Sequence, residues 1–494
     1  MVLLATLIFL PILSSIVAYV IGRASTRAAR YFALIVSVIV LGLALYAFGV
    51  IHQTGSGGAF SFQERVPWVP LVPGLDYWVG IDGLGATLVL VSAFLTVLVV
   101  LGSWDLIRER EALYYMLILL FEGAIVGVFA SLNLILFYVF WELVLVPMFF
   151  FIGLWGGPRR KYAAMKFFLF TFLGSIVMLL GFLAVFLFVP EPTFNLLELY
   201  GRIPVWVQLW ASVAVFFGFG VKLPVVPLHT WLPDAHVEAP APISVFLAGL
   251  LLKMGGYGFI RFNLGLFPEA SQQLAWVFIA IGLVTMFYGA LVAMIQRDMK
   301  RMIALTSINH MGFVMLGAFS GVLAPNAQGA IFGISGAIFQ MFNHAAAIGI
   351  LFMLSGYVHH QAGTREIGEL RGLKTTMPRT AVLLLLGSMA GMGMPIFSNF
   401  LSEWMVIFGA IAVNFWLAGA VLVPGLTVAY FLWMLWRTTL SEPMPGVQHH
   451  DMSRFSAFHL SLYLVPLFLL LLFPWLVLDV VNPLAQTVIR VLGT

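Results

Sequence analysis

Four ionisable side chains stand inside apolar runs of the sequence, where a charge is expensive and a proton transfer is possible. They are Glu142 in NLILFYVFWELVLVPMFFFIGLW, Lys222 at the end of ASVAVFFGFGVK, Lys253 in PISVFLAGLLLKMGGYGFI and Glu403 in GMGMPIFSNFLSEW. Each charge costs about 2.5–3.5 kcal/mol at the centre of a membrane helix, so each needs a partner or a function. Burial favours the neutral form of a lysine and a nearby carboxylate favours the charged form, so a glutamate–lysine pair can hold a lysine close to proton release. The alternatives are structural ion pairs, interhelical hydrogen bonds or, for Lys222, a helix-end lysine that extends to lipid headgroups.

Two histidines lie inside later apolar runs and extend this set of groups. His310 in LTSINHMGFVMLG and His344 in FQMFNHAAAIGIL each follow an asparagine directly. A neutral imidazole is cheaper to bury than a charge, and its two nitrogens let it accept and release a proton at one place. The pattern therefore predicts a buried proton relay. Interhelical hydrogen bonding and a bis-histidine haem are alternatives, although no redox motif accompanies the pair to favour haem.

The segment KLPVVPLHTWLPDAHVEAP, residues 222–240, interrupts an apolar stretch with four prolines and several titratable groups. Because proline removes a backbone donor and breaks a helix, the segment predicts that water reaches Lys222. We interpret His229, Asp234 and His236 as a proton-uptake route. The alternatives are that these side chains cap two half-helices, or that they bind a metal, for which the spacing on one helix face is lacking.

The composition is that of a membrane protein. Of the 494 residues, 62% are hydrophobic and 9% are charged, against about 25% charged in soluble domains, and the mean hydropathy is +1.06. The absence of cysteine excludes disulfides, thiolate-bound zinc and cysteine-ligated iron–sulfur clusters within the chain. Neither a dinucleotide-binding glycine motif nor a P-loop is present. The net charge of +4 is spread over short loops, which argues against nucleic-acid binding. We therefore expect a lipid bilayer as the surroundings, and no cofactor or metal.

The elements that must position these groups are membrane-spanning helices of about 20 residues. Hydropathy predicts an all-α polytopic membrane protein with about fourteen of them. The predicted spans are 2–22, 31–51, 83–103, 112–130, 132–154, 162–188, 206–224, 241–263, 273–295, 302–320, 328–356, 378–410, 413–436 and 458–480. The seventh span breaks at Leu223–Pro224, and the twelfth breaks within residues 391–404.

The charges of the loops predict the orientation of the chain. One set of alternate loops carries 17 lysines and arginines, whereas the opposite set carries only Arg65, Arg202, Arg261 and Arg490. Because basic residues concentrate in short cytoplasmic loops, we expect the first set in the cytoplasm and both termini on the non-cytoplasmic side of the cell inner membrane. The first twenty residues lack the basic start of a signal peptide, so we interpret them as a retained helix.

The two breaks predict a pair of repeats. Broken helices at corresponding positions of two halves are typical of transporters built from inverted repeats. Glu403 lies 181 residues after Lys222, and the odd number of intervening spans predicts that the halves are inverted. We therefore predict a three-helix segment at 1–111, five-helix repeats at 112–263 and 273–436, and a C-terminal helix at 437–494.

Four stretches of the sequence resemble the antiporter-like membrane subunits of respiratory complex I, and the resemblance covers essentially the whole chain. They are FYVFWELVLVPMF, KLPVVPLHTWLPDAHVEAPAPISVFLAGLLLKMGGYG, SINHMGFVMLG and FSNFLSEW. The second of them is the most specific. Glu403 is similar to the glutamate of the chain M subfamily of proton-translocating NADH:quinone oxidoreductase, because the related chains L and N usually carry lysine there.

The resemblance implies a role for each buried group. Glu142 matches the glutamate of the fifth span, Lys222 the pumping lysine at the seventh-span break and Lys253 the connecting lysine of the eighth span. Two further matches are His310 and His344, at positions of the polar axis. Glu403 matches the residue that gates the far half-channel.

The same resemblance implies a membrane-arm subunit that moves protons, driven by quinone reduction in other subunits. It implies no redox cofactor in this chain. The expected partners are the other membrane-arm subunits, including the related antiporter-like chains. A cation/proton antiporter subunit without a redox module, a membrane subunit of an energy-converting hydrogenase and a structural spacer are the alternatives. Glu403 argues against the antiporter, and four buried charges argue against the spacer.

Overall fold

The computed structural model describes residues 2–443 and 450–492. The predicted C-terminal segment 437–494 therefore includes positions, 444–449 and 493–494, that lie outside the described residues. Fourteen helical segments of the described residues are long and apolar enough to cross a membrane, in agreement with the predicted all-α membrane fold.

The chain begins with three long helices and a β-hairpin. These elements are α1 (Leu3–Ala24), α2 (Thr26–Thr54), β1 (Ser61–Pro67), β2 (Asp76–Ile81) and α3 (Gly83–Leu106). The strands pair in antiparallel register, and the sequence analysis did not predict them. Glu64 on β1 accepts hydrogen bonds from the backbone of Leu4 and Ala5, at the N-terminus of α1. We call the side of the molecule that carries this hairpin the hairpin face, and the opposite side, with most of the loop arginines, the basic face.

The next part of the chain holds Glu142, Lys222 and Lys253. Its helices are α4 (Glu111–Ala130), α5 (Leu134–Leu143), α6 (Leu145–Trp155), α7 (Arg160–Phe188), α8 (Leu196–Leu199), α9 (Val205–Lys222), α10 (Trp231–Glu238), α11 (Ala241–Phe246) and α12 (Leu252–Gly258). Two π-helical segments, Leu247–Leu251 and Phe259–Leu264, interrupt and extend the last of these spans.

The following part holds His310, His344 and Glu403. Its helices are α13 (Pro268–Met294), α14 (Met299–Leu323), α15 (Ala327–Ala362), α16 (Leu373–Thr376), α17 (Pro378–Gly391), α18 (Ser398–Val413) and α19 (Leu422–Thr438), with a 3-10 segment at Phe415–Val421. The twelfth span is thus divided into α17 and α18, at the predicted place.

The C-terminal part differs from the single predicted span at 458–480. Its described helices are α20 (Arg454–Ser461), α21 (Leu464–Leu472) and α22 (Trp475–Leu492). Pro474 separates the last two, since it has no backbone donor to continue α21. The backbone of Val480 lies very close to Gly57, because a Cβ added at Gly57 would be 2.0 Å from the carbonyl oxygen of Val480. At its other end α22 accepts a hydrogen bond from Gln272 near the start of α13, so α22 runs along the hairpin face.

Three spans form the centre of the molecule. The windows within Ala241–Leu264, Met299–Leu323 and Ala327–Ala362 are 100% buried, whereas Leu3–Ala24 and Arg160–Phe188 are 39% buried. The central spans carry Lys253, His310 and His344, so these groups are shielded by protein on every side. The outer helices present large apolar side chains outward, as a bilayer requires.

A polar cluster fastens the hairpin to the loop before α9. Arg65 forms ion pairs with Asp76 and Glu198, at 2.7 Å each. Partial burial alone would raise the pKa of Glu198, but hydrogen bonds from Thr193, Asn195 and Arg65 outweigh it and hold that pKa below its usual value. The carboxylate is therefore charged near neutral pH and joins strand and loop.

Candidate functional site

Lys253 is held by a π-helical turn and by His344. Its Nζ donates to the carbonyl oxygen of Ala248 at 2.6 Å and lies 2.5 Å from Nδ1 of His344. Ala248 belongs to the π-helical segment Leu247–Leu251, where the wider turn changes the pairing of backbone carbonyls and leaves one available to a side chain. When Lys253 donates to Nδ1, the ring proton of His344 is on Nε2, which has no hydrogen-bond partner among the described residues.

His344, His310 and Glu403 follow one another beyond Lys253. The two imidazole rings lie edge to face with their centroids 5.3 Å apart. Nε2 of His310 is 3.8 Å from Oε1 of Glu403, about 1 Å longer than a charge-assisted hydrogen bond. A small side-chain movement would close this gap. The edge-to-face rings, one of which already contacts Lys253, argue against the bis-histidine haem.

Glu403 lies against the break between α17 and α18. The chain leaves α17 through Gly393, which has φ +68° and lies so close to Glu403 that a Cβ would stand 2.6 Å from Oε2. Glycine is required there for both reasons. Asn343, next to His344, donates to Ser398 O and accepts from Ser398 Oγ. The start of α18 is thereby tied to the helix that carries His344.

Lys222 ends α9 at the break of the seventh span. Pro224 and Pro227 cannot continue the helix, and the carbonyl of Val221 that the break leaves free accepts from the indole N–H of Trp231 at 2.8 Å. Lys222 is fully buried. Its Nζ lies 3.9 Å from Sδ of Met254, so Lys222 contacts α12 at the residue that follows Lys253.

Glu142 lies at a third interruption, which the sequence analysis did not predict. Pro147 has no N–H for the carbonyl of Leu143, and the fifth span divides into α5 and α6 at Val144. Glu142 is half-buried, and the exposed side chains of Val139 and Val146 flank it on the outer surface. Among the described residues no carboxylate lies within 4.0 Å of Lys222, so Glu142 acts on Lys222 only through space.

The structure does not bring His229, Asp234 and His236 together. His229 packs against Tyr288 of α13, and Asp234 pairs with Lys166 of α7 at 2.7 Å. The ring of His236 is fully buried and stacks on Phe352 of α15 at 4.5 Å. Both ring nitrogens of His236 are without a hydrogen-bond partner in the described part of the chain.

A cavity of about 750 Å³ opens on the basic face beside His236. It lies between the ends of α3, α6, α10 and α15, and its lining includes Val237 and Glu238 together with Lys300. Lys300 is buried and donates to the carbonyl of Ala239.

Residues 2–443 and 450–492 contain no group of three or more His, Asp or Glu side chains placed to hold a metal ion.

The sequence analysis missed several buried ionisable groups. Glu122 in α4 is fully buried and accepts from Ser37 of α2 at 3.0 Å. Its position in the apolar run EALYYMLILLFEGAIVGVFA is the signal that would have identified it. Arg261 was assigned to a loop, but it is buried in a π-helical segment and pairs with Asp82 at 2.6 Å.

Comparison with known protein sequences gives clear relatives. Residues 131–428 match the family described as NADH:quinone oxidoreductase/Mrp antiporter, TM. NADH-quinone oxidoreductase subunit M of Rickettsia prowazekii is 40% identical over 413 residues, which are 82% of each chain. NAD(P)H-quinone oxidoreductase chain 4 1 of Synechococcus sp. (strain JA-3-3Ab) is 39% identical over 459 residues, which are 91% of this chain and 84% of that protein.

Solved structures are similar over the full length. A chain of respiratory complex I from Thermus thermophilus, with bound NADH, has a TM-score of 0.89 at 30% identity and is covered completely, as is this chain. A chain of the Mrp complex from Dietzia sp. DQ12-45-1b has a TM-score of 0.85 at 21% identity, again with complete coverage of both chains. The second likeness is one of fold alone.

Proposed function

Because the chain belongs to the NADH:quinone oxidoreductase/Mrp antiporter membrane family, we propose that it is a proton-translocating membrane-arm subunit of an NADH:quinone oxidoreductase. The observation that carries the proposal is the buried line Lys253, His344, His310 and Glu403, whose neighbouring groups lie within reach of a small side-chain movement. The oxidoreductase activity belongs to the assembled complex, and other subunits bind NADH and quinone.

Proton transfer along the line uses the two nitrogens of each imidazole. A proton that leaves Lys253 is accepted by Nδ1 of His344, and the proton on Nε2 of the same ring is released toward His310. His310 then passes a proton to Glu403 across the 3.8 Å gap. Each step needs an acceptor that has no proton on the receiving atom: a neutral amine, the bare nitrogen of a neutral imidazole or an ionised carboxylate. Arginine stays protonated and cannot serve in this way.

Glu142 and Lys222 control how the line is loaded. Lys222 is the group at the broken helix, and it contacts Met254, the residue after Lys253. A negative Glu142 favours the charged form of Lys222, and a change in charge or position of Glu142 releases that proton. Glu142 is half-buried beside the exposed Val139 and Val146, and a charge that borders lipid is costly. We therefore place a neighbouring membrane-arm subunit, such as a related antiporter-like chain, against α5.

The uptake route begins at the basic face. His236 supports this proposal best, because neither of its ring nitrogens has a hydrogen-bond partner among the described residues and the next residue, Val237, lines the 750 Å³ cavity. Asp234 is paired with Lys166 and His229 packs on Tyr288, so these two orient the segment and hydrate its surface. The charge asymmetry of the loops supports a basic face in the cytoplasm and both termini on the non-cytoplasmic side of the inner membrane.

Release occurs from Glu403 toward the hairpin face. This carboxylate is 4% exposed and borders Gly393 at the broken twelfth span, where freed backbone groups attract water. Uptake and release thus take place at two different broken helices, as in transporters that expose a central site to alternate sides.

Reconstitution of the purified complex tests the function. Vesicles that contain the wild-type complex should acidify on one side when NADH reduces quinone, and Lys253→Ala should abolish acidification while the complex still assembles. Lys374→Ala, a change at an exposed residue of the short helix α16 on the basic face, is the control and should pump normally. The proposal is wrong if the chain purifies without NADH-oxidising subunits, or if Lys253→Ala pumps as the wild type does.

A further inference from the structure

Lys222 is fully buried, and no carboxylate of the described residues contacts it. Its Nζ lies 4.3 Å from the centre of the Trp141 ring, 3.5 Å from the carbonyl oxygen of Trp141 and 3.9 Å from Sδ of Met254. A buried ammonium group that lacks a paired carboxylate must be stabilised in another way. Among side chains, the face of a tryptophan ring is the best neutral partner for a cation, and the attraction is largest when water is excluded.

The ring of Trp141 is held in one orientation. Its indole N–H donates to Ser175 Oγ of α7 at 3.2 Å, and Ser175 in turn donates to the carbonyl of Thr171. Phe137 and Phe219 pack around the ring at centroid distances of 5.3 and 5.6 Å. The edge of the indole is therefore fixed by α7, and one face is presented to the end of Lys222.

We propose that Trp141 is a positioning residue for proton transfer, and that its aromatic face holds the protonated form of Lys222 in place of a contacting carboxylate. The inference rests on the proposed function, because it gives Trp141 a part in the loading of the proton line. A neutral ring stabilises the cation without fixing it in an ion pair, so Lys222 can still lose its proton.

The position of Trp141 next to Glu142 links the ring to the charge that controls the lysine. The charged group that acts on Lys222 through space is Glu142, on the same helix as the ring. From the other packed elements, α7 presents the uncharged Ser175 and α12 presents Met254. Movement of α5 at the Val144 interruption would therefore displace the carboxylate and the aromatic face together.

Fluorinated tryptophans placed at position 141 alone, in the complete complex, are the most direct test. Successive fluorine atoms withdraw electron density from the ring and change its shape little, so packing is preserved while the attraction for a cation falls. The alkaline limb of the pH profile for proton pumping should move to lower pH with each fluorine, by about one pH unit, or tenfold in proton affinity, for the most fluorinated ring. A profile that does not move across the series would overturn the proposal.

Substitutions by natural amino acids provide a second test of the role of Trp141. Trp141→Phe should move the alkaline limb less than Trp141→Leu, because phenylalanine keeps a weaker aromatic face. Phe137→Leu is the matched control: it disturbs the same aromatic cluster one turn away and should leave the pH profile in place. If Phe137→Leu moves the limb as far as Trp141→Leu, the role of Trp141 is packing and the proposal is wrong.

Lys222→Ala separates this proposal from the proposed function. If the wild-type complex pumps, Lys222→Ala does not, and the fluorinated series still has no effect, then only the role of Trp141 is refuted. If Lys222→Ala pumps at the wild-type rate, the proposed role of Lys222 in proton transfer is refuted, and the role of Trp141 is refuted with it.

Discussion

At the scale of single residues, the buried ionisable groups fall into two kinds. Arg261 is paired with Asp82 at 2.6 Å, and the buried Glu111 is paired with the partly exposed Arg30 through two hydrogen bonds. Lys253 instead contacts a carbonyl and an imidazole, and Lys222 contacts an aromatic face. An ion pair strongly favours one protonation state of each partner, whereas neutral contacts let the state change at lower cost. The first kind suits structure and the second suits proton transfer.

Glu142→Ala should abolish proton pumping and strongly lower coupled quinone reductase activity in an assembled complex. The carboxylate is the charge that acts on Lys222 from beyond direct contact, and alanine removes it. Glu142→Asp should be milder, because it keeps the charge and moves it by one methylene. The measurement is acidification of reconstituted vesicles at equal assembly, and pumping near the wild-type level in the alanine variant would contradict the assigned role.

Gly393→Ala should impair pumping through a steric effect on Glu403. A Cβ at this position would lie 2.6 Å from Oε2 of the carboxylate, so the side chain of Glu403 must move away from the break. Gly363→Ala is the matched control, since Gly363 also has a positive φ, +72°, but a Cβ there would meet nothing within 4 Å. Both variants carry a backbone cost of roughly 1 kcal/mol. Equal pumping in the two variants would show that the contact with Glu403 is unimportant.

At the scale of elements, the site depends on local departures from regular helix. A proline lies close to three of the groups in the chain: Pro147 follows Glu142, Pro224 follows Lys222 and Pro395 precedes Glu403. The π-helical turn Leu247–Leu251 supplies a carbonyl to Lys253. Regular helices would bond these backbone groups internally and leave the side chains without polar neighbours. The interruptions are thus part of the site.

The sequence predicts an interruption where residues of the same segment cause it, and does not predict features that depend on contacts between distant segments. Prolines and glycines at Leu223–Pro224 and at 391–404 mark breaks that a single segment determines, and they were predicted. The π-helical turns, the contact of Trp141 with Lys222 and the course of α22 depend on neighbours far along the chain. Gly57, for example, meets Val480, and no local pattern in the sequence records that contact. Glu122 was missed although its apolar run was visible.

The attachment of the hairpin gives a prediction that depends on pH. Glu198→Gln should weaken the hairpin by about 1 kcal/mol, seen as faster amide hydrogen exchange in residues 61–81. Because the folded state holds the pKa of Glu198 below its usual value, the stabilisation is present above the ordinary glutamate pKa and is lost as the pH falls through the folded value. The difference from the wild type should therefore disappear in acid.

Glu191→Gln is the control for that measurement. Glu191 pairs with Arg202 in the same loop, but its side chain is 80% exposed, and exposed pairs contribute little. An equal effect of the two substitutions, or an effect of Glu198→Gln that persists in acid, would contradict the proposed cause.

At the scale of the whole molecule, the proposed pathway connects two broken helices through the most buried spans. Lys222 stands at the first break and Glu403 at the second, and the helices between them carry Lys253, His310 and His344. The most apolar windows of the central spans are 100% buried, so we expect water from either face to reach the proposed line only near its ends. Such an arrangement would keep the two faces separated during proton transfer.

The two lysines should act as one unit. Met254 brings α12 into contact with Lys222 directly beside Lys253, so the loss of either lysine stops the same transfer. The variant Lys222→Ala/Lys253→Ala should therefore be little worse than either single variant, a strong non-additivity of effects. The measurement is coupled quinone reductase activity of the three variants at equal assembly, and losses that simply add would indicate two independent roles.

Proton pumping by Glu403 variants in reconstituted vesicles is the sharpest test of the proposed proton line. Glu403→Ala and Glu403→Gln remove the last titratable group of the line and should abolish pumping, whereas Glu403→Lys keeps such a group and should retain part of it. Glu122→Gln is the control, because Glu122 is equally buried but bonds to Ser37, away from the line, and should pump normally. Wild-type pumping by an assembled Glu403→Ala complex would mean that the proton leaves by another route, and the proposed line from Lys253 to Glu403 would be wrong.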